Sequence, residues 1–477
     1  MVKIRVIGGG LAGPEAALTA ARLGCEVDLY EMRRVVDGKA HLTPAHQTTE
    51  FGELVCSNSL KSESEWTAPW LLKQEMRGAG SVLLRIADET AVPAGHALAV
   101  DRVEFSRRIT AAIEAEPRIR VIREEVASLD DTPLQNQNGA KHCTIVATGP
   151  LTSDALSKEI ERLTGSGYLA FYDSISPIVD ADSIDMNRVY FAARWDKGTA
   201  DYINCPMDRA EYEQFYDALV AAEAAEKKDW ETLDYFPPHA PEAGARGPRY
   251  FEGCLPIEVL AARGRDTLRF GPMKPVGLRD PRTGKNPWAV VQLRKENLRA
   301  DSYNLVGFQN HLKHGEQARV LRLIPGLENA RFLRYGQIHR NTYICAPALL
   351  DETLFLRNCG ARLAFAGQIC GVEGYTESIA TGMLAGIYAA AISRGEEPVP
   401  APRATALGSL VHYITHAGAK NFQPANMTFD LLEPLEEETR RRVRDKKERH
   451  RIQCERALAA FDAWRGALQY PAAELRA

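Results

Sequence analysis

The 477-residue sequence lacks three features that would each assign it to a particular class of protein. Its nine cysteines, an odd number, include no C-x-x-C pair, which argues against a disulfide framework and indicates reduced thiols. The longest uncharged apolar stretch, Ile379 to Ser393, has 15 residues, which is short for a membrane span and favours a buried helix. There is no excess of positive charge, because 59 basic and 63 acidic residues give a net charge of −4. Binding of nucleic acid would therefore require a local basic face.

The remaining composition is that of a globular protein large enough for several domains. Hydrophobic residues make up 45% of the chain and charged residues 26%. The sequence begins directly with a predicted strand, so we expect no signal peptide and a cytoplasmic protein.

The first 31 residues predict a strand, a glycine turn, a helix and a second strand. The apolar run Val2 to Ile7 favours a buried strand, Ala16 to Leu23 a helix, and Cys25 to Tyr30 the next strand. Between the first strand and the helix, the sequence fits the dinucleotide-binding pattern G-x-G-x-x-G with Gly8, Gly9, Gly10, Leu11, Ala12 and Gly13.

Each part of this unit has a physical role in binding a dinucleotide. Gly8 permits the tight turn, Gly10 lets the backbone approach a pyrophosphate, and Gly13 allows helix and strand to pack closely. The helix N-terminus offers unpaired N–H groups to phosphates. Glu31, which ends the second strand, is expected to accept hydrogen bonds from a ribose diol.

Two later segments favour FAD over NAD as the bound nucleotide. Thr144 to Gly149 reads as a strand that returns to the nucleotide domain, and a second such strand begins at Leu363 and ends in Gly367 and Gln368. A helix rich in small residues, predicted from Ser378 onward, would direct its N-terminus at the flavin.

These segments predict an α/β fold, namely a Rossmann-like FAD-binding domain with an inserted α/β domain. The FAD-binding domain comprises residues 1–165 and 335–440, the insertion residues 166–334, and a charged helical tail residues 441–477. Within the insertion, Arg188 to Arg194 and Trp288 to Leu293 read as strands and Arg209 to Glu226 as a helix. The tail and the residues before it carry many arginines and lysines, which indicate either a solvated helix face or a contact with RNA phosphates.

Two cysteines lie in polar, loop-like surroundings. Cys56 lies in the segment ELVCSNSLK and Cys254 in FEGCLPIE. Cysteine is more often a small buried hydrophobe than a nucleophile. A reactive thiolate needs a nearby cation or helix N-terminus, so both interpretations stay open at this point.

With these segments in view, the sequence resembles the bacterial folate- and FAD-dependent tRNA (uracil-5-)methyltransferases, the TrmFO family. The cysteine segments and the FQPAN stretch are more specific to this family than the glycine turn, which many flavoproteins share. The resemblance covers roughly residues 2–440. Its matching segments include GGGLAGPEAA, FGELVCSNSLKS, DYINCPMD, FEGCLPIE, NPWAVVQLR, RYGQIHRNTYI, AFAGQICGVEGYTES and FQPANMTFDLL.

The resemblance implies a methylenetetrahydrofolate–tRNA (uracil-5-)methyltransferase. Methylenetetrahydrofolate would donate the carbon, and FAD reduced by NAD(P)H would carry the methylene to C5 of the T-loop uracil, uracil-54 of tRNA. A thiolate that adds to C6 makes C5 nucleophilic. The resemblance assigns this attack to Cys254 and a second thiol role to Cys56, and the reverse assignment stays open. The implied partners are the tRNA T-arm and the two small cosubstrates, with no metal and no membrane.

Four other functions remain as alternatives. They are a related flavoprotein that modifies wobble uridines with a GTPase partner, an rRNA uracil-5-methyltransferase, a plain NAD(P)H-dependent flavin oxidoreductase, and an RNA-binding module in which FAD is structural. The sequence leaves open the preference for NADH or NADPH and the oligomeric state.

Overall fold

The computed structural model describes residues 3–43, 45–129, 143–165, 169–174, 176–196, 199–225, 255–357 and 362–468. Cys254, one of the two predicted functional thiols, lies outside the described residues. In chain order, the strands are β1 (Lys3–Ile7), β2 (Glu26–Tyr30), β3 (Arg34–Val36), β4 (Lys39–His41), β5 (Ser59–Ser62), β6 (Ala91–Val92), β7 (Ala97–Val100), β8 (Ile119–Ile122), β9 (Cys143–Val146), β10 (Leu169–Ser174), β11 (Ile178–Asp180), β12 (Tyr190–Ala192), β13 (Tyr202–Met207), β14 (Ala289–Lys295), β15 (Ser302–Leu305), β16 (Phe332–Arg334), β17 (Ile338–Tyr343) and β18 (Leu363–Phe365). The helices are α1 (Ala12–Arg22), α2 (Ala68–Gly78), α3 (Val82–Glu89), α4 (Arg102–Ala115), α5 (Asp154–Thr164), α6 (Arg209–Val220), α7 (Ile257–Ala262), α8 (Thr267–Phe270), α9 (His314–Leu321), α10 (Ala346–Leu349), α11 (Tyr375–Arg394), α12 (Ala406–His416), α13 (Glu437–Arg442) and α14 (Lys446–Ala467).

A parallel sheet with the strand order β18-β9-β1-β2-β8 forms the centre of the nucleotide-binding part. Its strands are short, and β9 and β18 are buried along their whole length, as expected for strands covered on both faces. Two of these strands, β9 and β18, come from segments far along the chain from β1, as the sequence predicted. The predicted Rossmann-like arrangement is confirmed.

Helix α11 crosses α1 at very close range. A Cβ added at Gly382 would lie 2.3 Å from the carbonyl oxygen of Ala12, so only glycine allows this approach. α11 is buried on all sides between Ile379 and Ser393, which confirms the buried helix predicted there. Among the helices of the described ranges, none is long and apolar enough to cross a membrane.

A second sheet, with the order β12-β13-β14-β15-β11-β16, is antiparallel throughout and has its own hydrophobic core. It lies within the predicted insertion. The predicted helix from Arg209 ends early, at Val220, where Ala221 caps it. The predicted strand at Arg188 shortens to β12, because Arg194 to Asp196 form a 3-10 turn.

The C-terminal helix α14 has one buried face. Cys454, Ala457, Phe461 and Trp464 recur at helical spacing and are buried, and the indole N–H of Trp464 donates to the carbonyl of Val399 at 3.0 Å. α14 packs against α2, so the charged tail is anchored to the nucleotide-binding part and only its outer face meets solvent.

Candidate active site

A cleft of about 980 Å³ opens at the carboxyl ends of β1, β2, β9 and β18. Ligands of open α/β sheets bind at this edge. Nine of the residues predicted from sequence to bind the cofactor line the cleft: Gly8, Gly9, Gly10, Leu11, Ala12, Glu31, Gly149, Gly367 and Gln368. The four segments that the sequence analysis grouped therefore meet at one site.

Two glycines of the turn act in different ways. A Cβ at Gly13 would lie 1.8 Å from the carbonyl oxygen of Gly8, so Gly13 lets α1 begin directly against the turn. Gly13 is a packing position and does not line the cleft. By contrast, nothing lies within 4 Å of a Cβ built at Gly10, which leaves open space where the pattern would place a pyrophosphate.

The Glu31 carboxylate holds the turn in place. It accepts the N–H of Gly9 at 2.7 Å and the N–H of Arg33 at 2.8 Å, and the Arg33 guanidinium lies 3.1 Å away. Arg33 is almost fully buried and also reaches Glu53 at 3.3 Å. Arg33 was not predicted from the sequence, although a basic residue two positions after the acid at the strand end was a usable signal.

Two helix N-termini meet at this cleft. α1 begins at Ala12, four residues earlier than predicted, and α11 begins at Tyr375, three residues before the predicted Ser378. Ala12, Tyr375 and Ser378 all line the cleft. Helix N-termini favour anions, so these positions, with the open space at Gly10, fit a dinucleotide such as FAD.

Cys56 lies beside this cleft, next to its lining residue Val55. The thiol residue is half-buried. Its backbone N–H donates to the Tyr375 hydroxyl at 2.7 Å, and its carbonyl accepts from Arg102 Nη2 at 3.0 Å. Arg102 Nη1 also donates to the carbonyl of Leu54. The backbone on both sides of Cys56 is thus fixed by side chains from α11 and α4.

Arg102 is in turn held by the second sheet. Its Nε donates to Glu296 Oε2 at 2.7 Å, and Glu296, just after β14, is only 4% exposed. Asn58, near Cys56, donates to the carbonyls of Val100 and Lys295 at 2.9 Å each. A buried polar cluster therefore joins the Cys56 segment to the antiparallel sheet.

Two arginines interact electrostatically with Cys56. Burial opposes the charge of Arg102, but Glu296, Tyr375 and Cys56 together raise the pKa of its guanidinium. Arg334, whose pKa is lowered by burial, also interacts electrostatically with Tyr375 and Cys56. Two guanidinium groups thus act on the Cys56 thiol.

Other described cysteines lie in unreactive surroundings. Burial raises the pKa of Cys143, Cys370 and Cys454 to about 12 and raises the pKa of Cys25 and Cys345. The pKa of the Cys205 thiol is also raised by burial. Of the cysteines in the described ranges, Cys56 is the candidate reactive thiol.

The FQPAN segment is tied to the start of α11. Lys61 Nζ donates to Glu377 Oε1 and to Asn426 Oδ1, both at 2.6 Å. The N–H of Met427 donates to the same Glu377 oxygen at 2.9 Å. This role of Lys61 was not predictable from local sequence, because its partners lie more than 300 positions away.

Exposed basic side chains follow one another from the end of α13 to the first turn of α14, and we call them the basic patch. Its members have no carboxylate partner among the described residues: Arg440, Arg442, Arg444, Lys446 and Lys447. Arg451, also basic, is different, because it forms ion pairs with Glu448 and Glu455 on its own helix.

Comparisons with known proteins agree with this geometry. The family model described as glucose inhibited division protein A matches residues 3–397. The chain is 65% identical to the methylenetetrahydrofolate–tRNA-(uracil-5-)-methyltransferase TrmFO of Koribacter versatilis, over 97% of this chain and 98% of the relative. The TrmFO proteins of Solibacter usitatus and Bacillus cytotoxicus are 59% and 50% identical over 98% and 95% of this chain, and 99% and 97% of their own lengths.

A solved structure supports the fold. Aquifex aeolicus GidA superposes with a TM-score of 0.68 at 17% identity, covering 100% of this chain and 74% of that chain. At this identity the likeness shows the fold alone. Given the near full-length identity to the curated relatives and the cleft and thiol geometry, the chain belongs to the TrmFO family of methylenetetrahydrofolate–tRNA-(uracil-5-)-methyltransferases.

Proposed function

We propose that this protein methylates C5 of the T-loop uracil in tRNA, with methylenetetrahydrofolate as carbon donor and NAD(P)H as reductant. The observation that carries the proposal is the position of Cys56, held by Tyr375 and Arg102 at the edge of the glycine-lined cleft. The names of the relatives support the substrates. FAD, when bound in the cleft, supplies the redox chemistry and the transfer of the one-carbon unit.

In the proposed reaction, the two thiols act on the uracil ring. The Cys254 thiolate adds to C6 and forms a C–S bond, and the electron pair of the C5–C6 double bond moves to C5 and the C4 carbonyl. C5 then bonds to the one-carbon unit. Cys56 takes the proton from C5, and the bond between the one-carbon unit and its nitrogen carrier breaks. A hydride equivalent derived from NAD(P)H then reduces the methylene to a methyl group, and departure of the Cys254 thiolate from C6 re-forms the C5–C6 double bond. The reverse assignment of the two cysteines is the alternative.

The surroundings of Cys56 suit a thiol that exchanges protons. A guanidinium group near a thiol favours its thiolate form. Arg102, which is also paired with Glu296, and Arg334 are two such groups that interact with Cys56. Tyr375 and Arg102 fix the backbone of Cys56, so the thiol is held at the cleft edge. No further conformational entropy is then lost in ordering the Cys56 segment during the reaction. The target base has to leave its stack to reach this site.

For the tRNA, we propose that the basic patch contacts phosphates. Five exposed cations without partners among the described residues give a local positive surface on a chain whose net charge is −4. We expect the reaction to take place in the cytoplasm.

The test is incubation of the FAD-loaded protein with unmodified tRNA transcript, NAD(P)H and methylenetetrahydrofolate, followed by nucleoside mass spectrometry. We expect 5-methyluridine, and none when either cosubstrate is omitted. Absence of product with reducible flavin and intact folate would reject the proposal. Product on rRNA alone would select the rRNA enzyme, and a modified wobble uridine that requires a GTPase would select the other tRNA function.

Cysteine variants test the assigned roles. Cys254→Ala and Cys56→Ser should each abolish product while the flavin absorbance is retained. Cys345→Ser is the matched control, because Cys345 is also half-buried but burial raises the pKa of its thiol. Normal methylation by Cys56→Ser would remove Cys56 from the mechanism.

A further inference from the structure

Far along the chain from the glycine turn, two histidines and a glutamate gather at the end of α12. His412 and His416 are one helical turn apart on α12, and their rings stack with centroids 4.3 Å apart. Glu352, in the turn after α10, places Oε1 3.6 Å from Nε2 of His416. One ligand atom from each of these three side chains lies within 4.8 Å of the others.

Hydrogen bonds determine which ring nitrogen of His416 carries a proton and which carries the lone pair that faces Glu352. The Thr415 hydroxyl donates to the carbonyl of Val411 at 2.8 Å. Its contact with Nδ1 of His416, at 2.9 Å, therefore requires the ring N–H at Nδ1 to be the donor. In the neutral ring, Nε2 is then the acceptor, so it directs a lone pair toward the Glu352 carboxylate. Either a proton on Nε2 or a metal ion between the two atoms would turn this contact into an attractive one.

His412 offers a second lone pair. His412 is half-buried, and its ring stacks on that of His416. Both rings line a cavity of about 420 Å³, together with the Asp430 carboxylate and with Arg403, which donates to the Ser409 hydroxyl. The cavity thus brings two imidazoles together with one carboxylate and one guanidinium.

The spacing suits a divalent transition metal. Zn²⁺ binds His nitrogen at about 2.0–2.1 Å and carboxylate oxygen at about 2.0–2.2 Å, so tetrahedral ligands lie roughly 3.4 Å apart. The 3.6 Å separation of Glu352 and His416 is close to this value. Both side chains are about half exposed, at 54% and 43%, and the three ligand atoms lie within 4.8 Å of one another, so metal binding requires side-chain rotation to bring them to bonding distance. Imidazole ligands favour zinc over magnesium or calcium.

We propose that Glu352, His412 and His416 form a Zn²⁺ site that links the turn after α10 to the C-terminal end of α12. Two histidines at i and i+4 are a helical arrangement that binds zinc, and the bond from Nδ1 of His416 to Thr415 orients one ligand. Three protein ligands leave a fourth position for water. Because the metal binds the folded chain, it raises the melting temperature.

The test is calorimetric titration of the chelator-treated, FAD-loaded full chain with ZnCl₂ at pH 7.5, together with melting curves. We expect one site per chain whose affinity falls at least tenfold in His416→Ala and in Glu352→Gln, with loss of the Zn²⁺-induced rise in melting temperature. His314→Ala, which removes an exposed histidine on α9, should bind as the wild type does.

Three results would overturn the site. The first is the absence of stoichiometric Zn²⁺ binding, which is expected if Glu352 and a protonated His416 form only an ion pair. The second is Zn²⁺ binding by thiols, which neither substitution changes. The third is a Glu352→Gln variant with wild-type affinity for Zn²⁺. Because the readouts are binding and melting, failure here is independent of the proposed methyltransferase activity.

Discussion

Replacement of Glu296 by glutamine tests whether the buried ion pair with Arg102 holds the Cys56 segment in place. The substitution keeps the shape of the side chain and removes its charge, so the Arg102 guanidinium, whose side chain is 14% exposed, loses its partner at 2.7 Å. Two unit charges about 4 Å apart at an effective dielectric constant of about 20 interact by roughly 4 kcal/mol. Removal of one partner of a buried pair typically costs about 3–5 kcal/mol. We therefore expect a loss of about 3 kcal/mol in the free energy of unfolding.

The pair also predicts a pH dependence. Burial tends to raise the pKa of Glu296, but Arg102 and Asn304 outweigh it and the pKa is lowered overall. A carboxyl group whose pKa is lowered by folding contributes stability at a pH above its pKa in the unfolded chain. This stability is lost as the pH falls through its pKa in the folded protein. The difference between wild type and Glu296→Gln should therefore shrink in acid.

The assay is urea unfolding followed by flavin and tryptophan fluorescence, with methylation measured in parallel. Because Arg102 positions the carbonyls of Leu54 and Cys56, we expect the turnover of folded Glu296→Gln to fall roughly tenfold or more with FAD retained. Glu316→Gln, which breaks the exposed pair with Arg319, is the control and should match the wild type. A Glu296→Gln variant as stable and active as this control would refute the argument.

Three further predictions follow from other parts of the structure. Gly13→Ala places a Cβ 1.8 Å from the Gly8 carbonyl oxygen and should abolish FAD absorbance. Gly315→Ala is the control and should leave FAD absorbance unchanged, because there is open space around Gly315. Normal FAD absorbance in Gly13→Ala would contradict the packing role of Gly13. Burial raises the pKa of Glu258 to about 7. The stabilising contribution of its carboxyl group is therefore fully present at a pH below the ordinary pKa of glutamate and is lost as the pH rises through about 7. Glu258→Gln, in which the bond from His311 N–H is retained, should flatten the stability profile between pH 5 and 8 by up to about 3 kcal/mol in urea unfolding, and an unchanged profile would contradict the raised pKa. The double substitution Lys446→Glu and Lys447→Glu should weaken tRNA binding and reduce the magnitude of the slope of log affinity against log salt by about 1 or more. The control Lys285→Glu, which changes an exposed lysine elsewhere, should leave both quantities unchanged. Equal salt slopes in the double variant and the wild type would mean that tRNA binds elsewhere.

Much of the nucleotide-binding part follows from local sequence. The glycine turn, β1, α1 and β2 are consecutive, and each element satisfies its own pattern, so they were predictable within a few residues. β9 and β18 were also recognisable, because each is an apolar run ending in glycine. The start of α1 was placed too late, because Ala12 and Gly13 were read as turn when they already belong to the first helical turn.

The surroundings of Cys56 were not predictable from local pattern. Arg102 and Glu296 are 194 positions apart, and Tyr375 lies 319 positions from Cys56. Buried polar contacts of this kind depend on how two sheets meet, which periodicity does not encode. The chemistry of Cys56 and Cys254 came from the family resemblance, and the described structure adds the two arginines that interact with Cys56. The predicted domain boundaries and the cofactor contacts of Glu31 and Gln368 stay predictions.

The most direct test of the central claim is the transfer of labelled carbon from methylenetetrahydrofolate to tRNA by the FAD-loaded protein. With [¹⁴C-methylene]-labelled donor, NAD(P)H and an unmodified transcript, we predict label at C5 of the T-loop uracil. A transcript with cytidine at that position should acquire none. Flavin reduction and folate turnover without label in the tRNA would contradict the account and leave a plain flavin oxidoreductase.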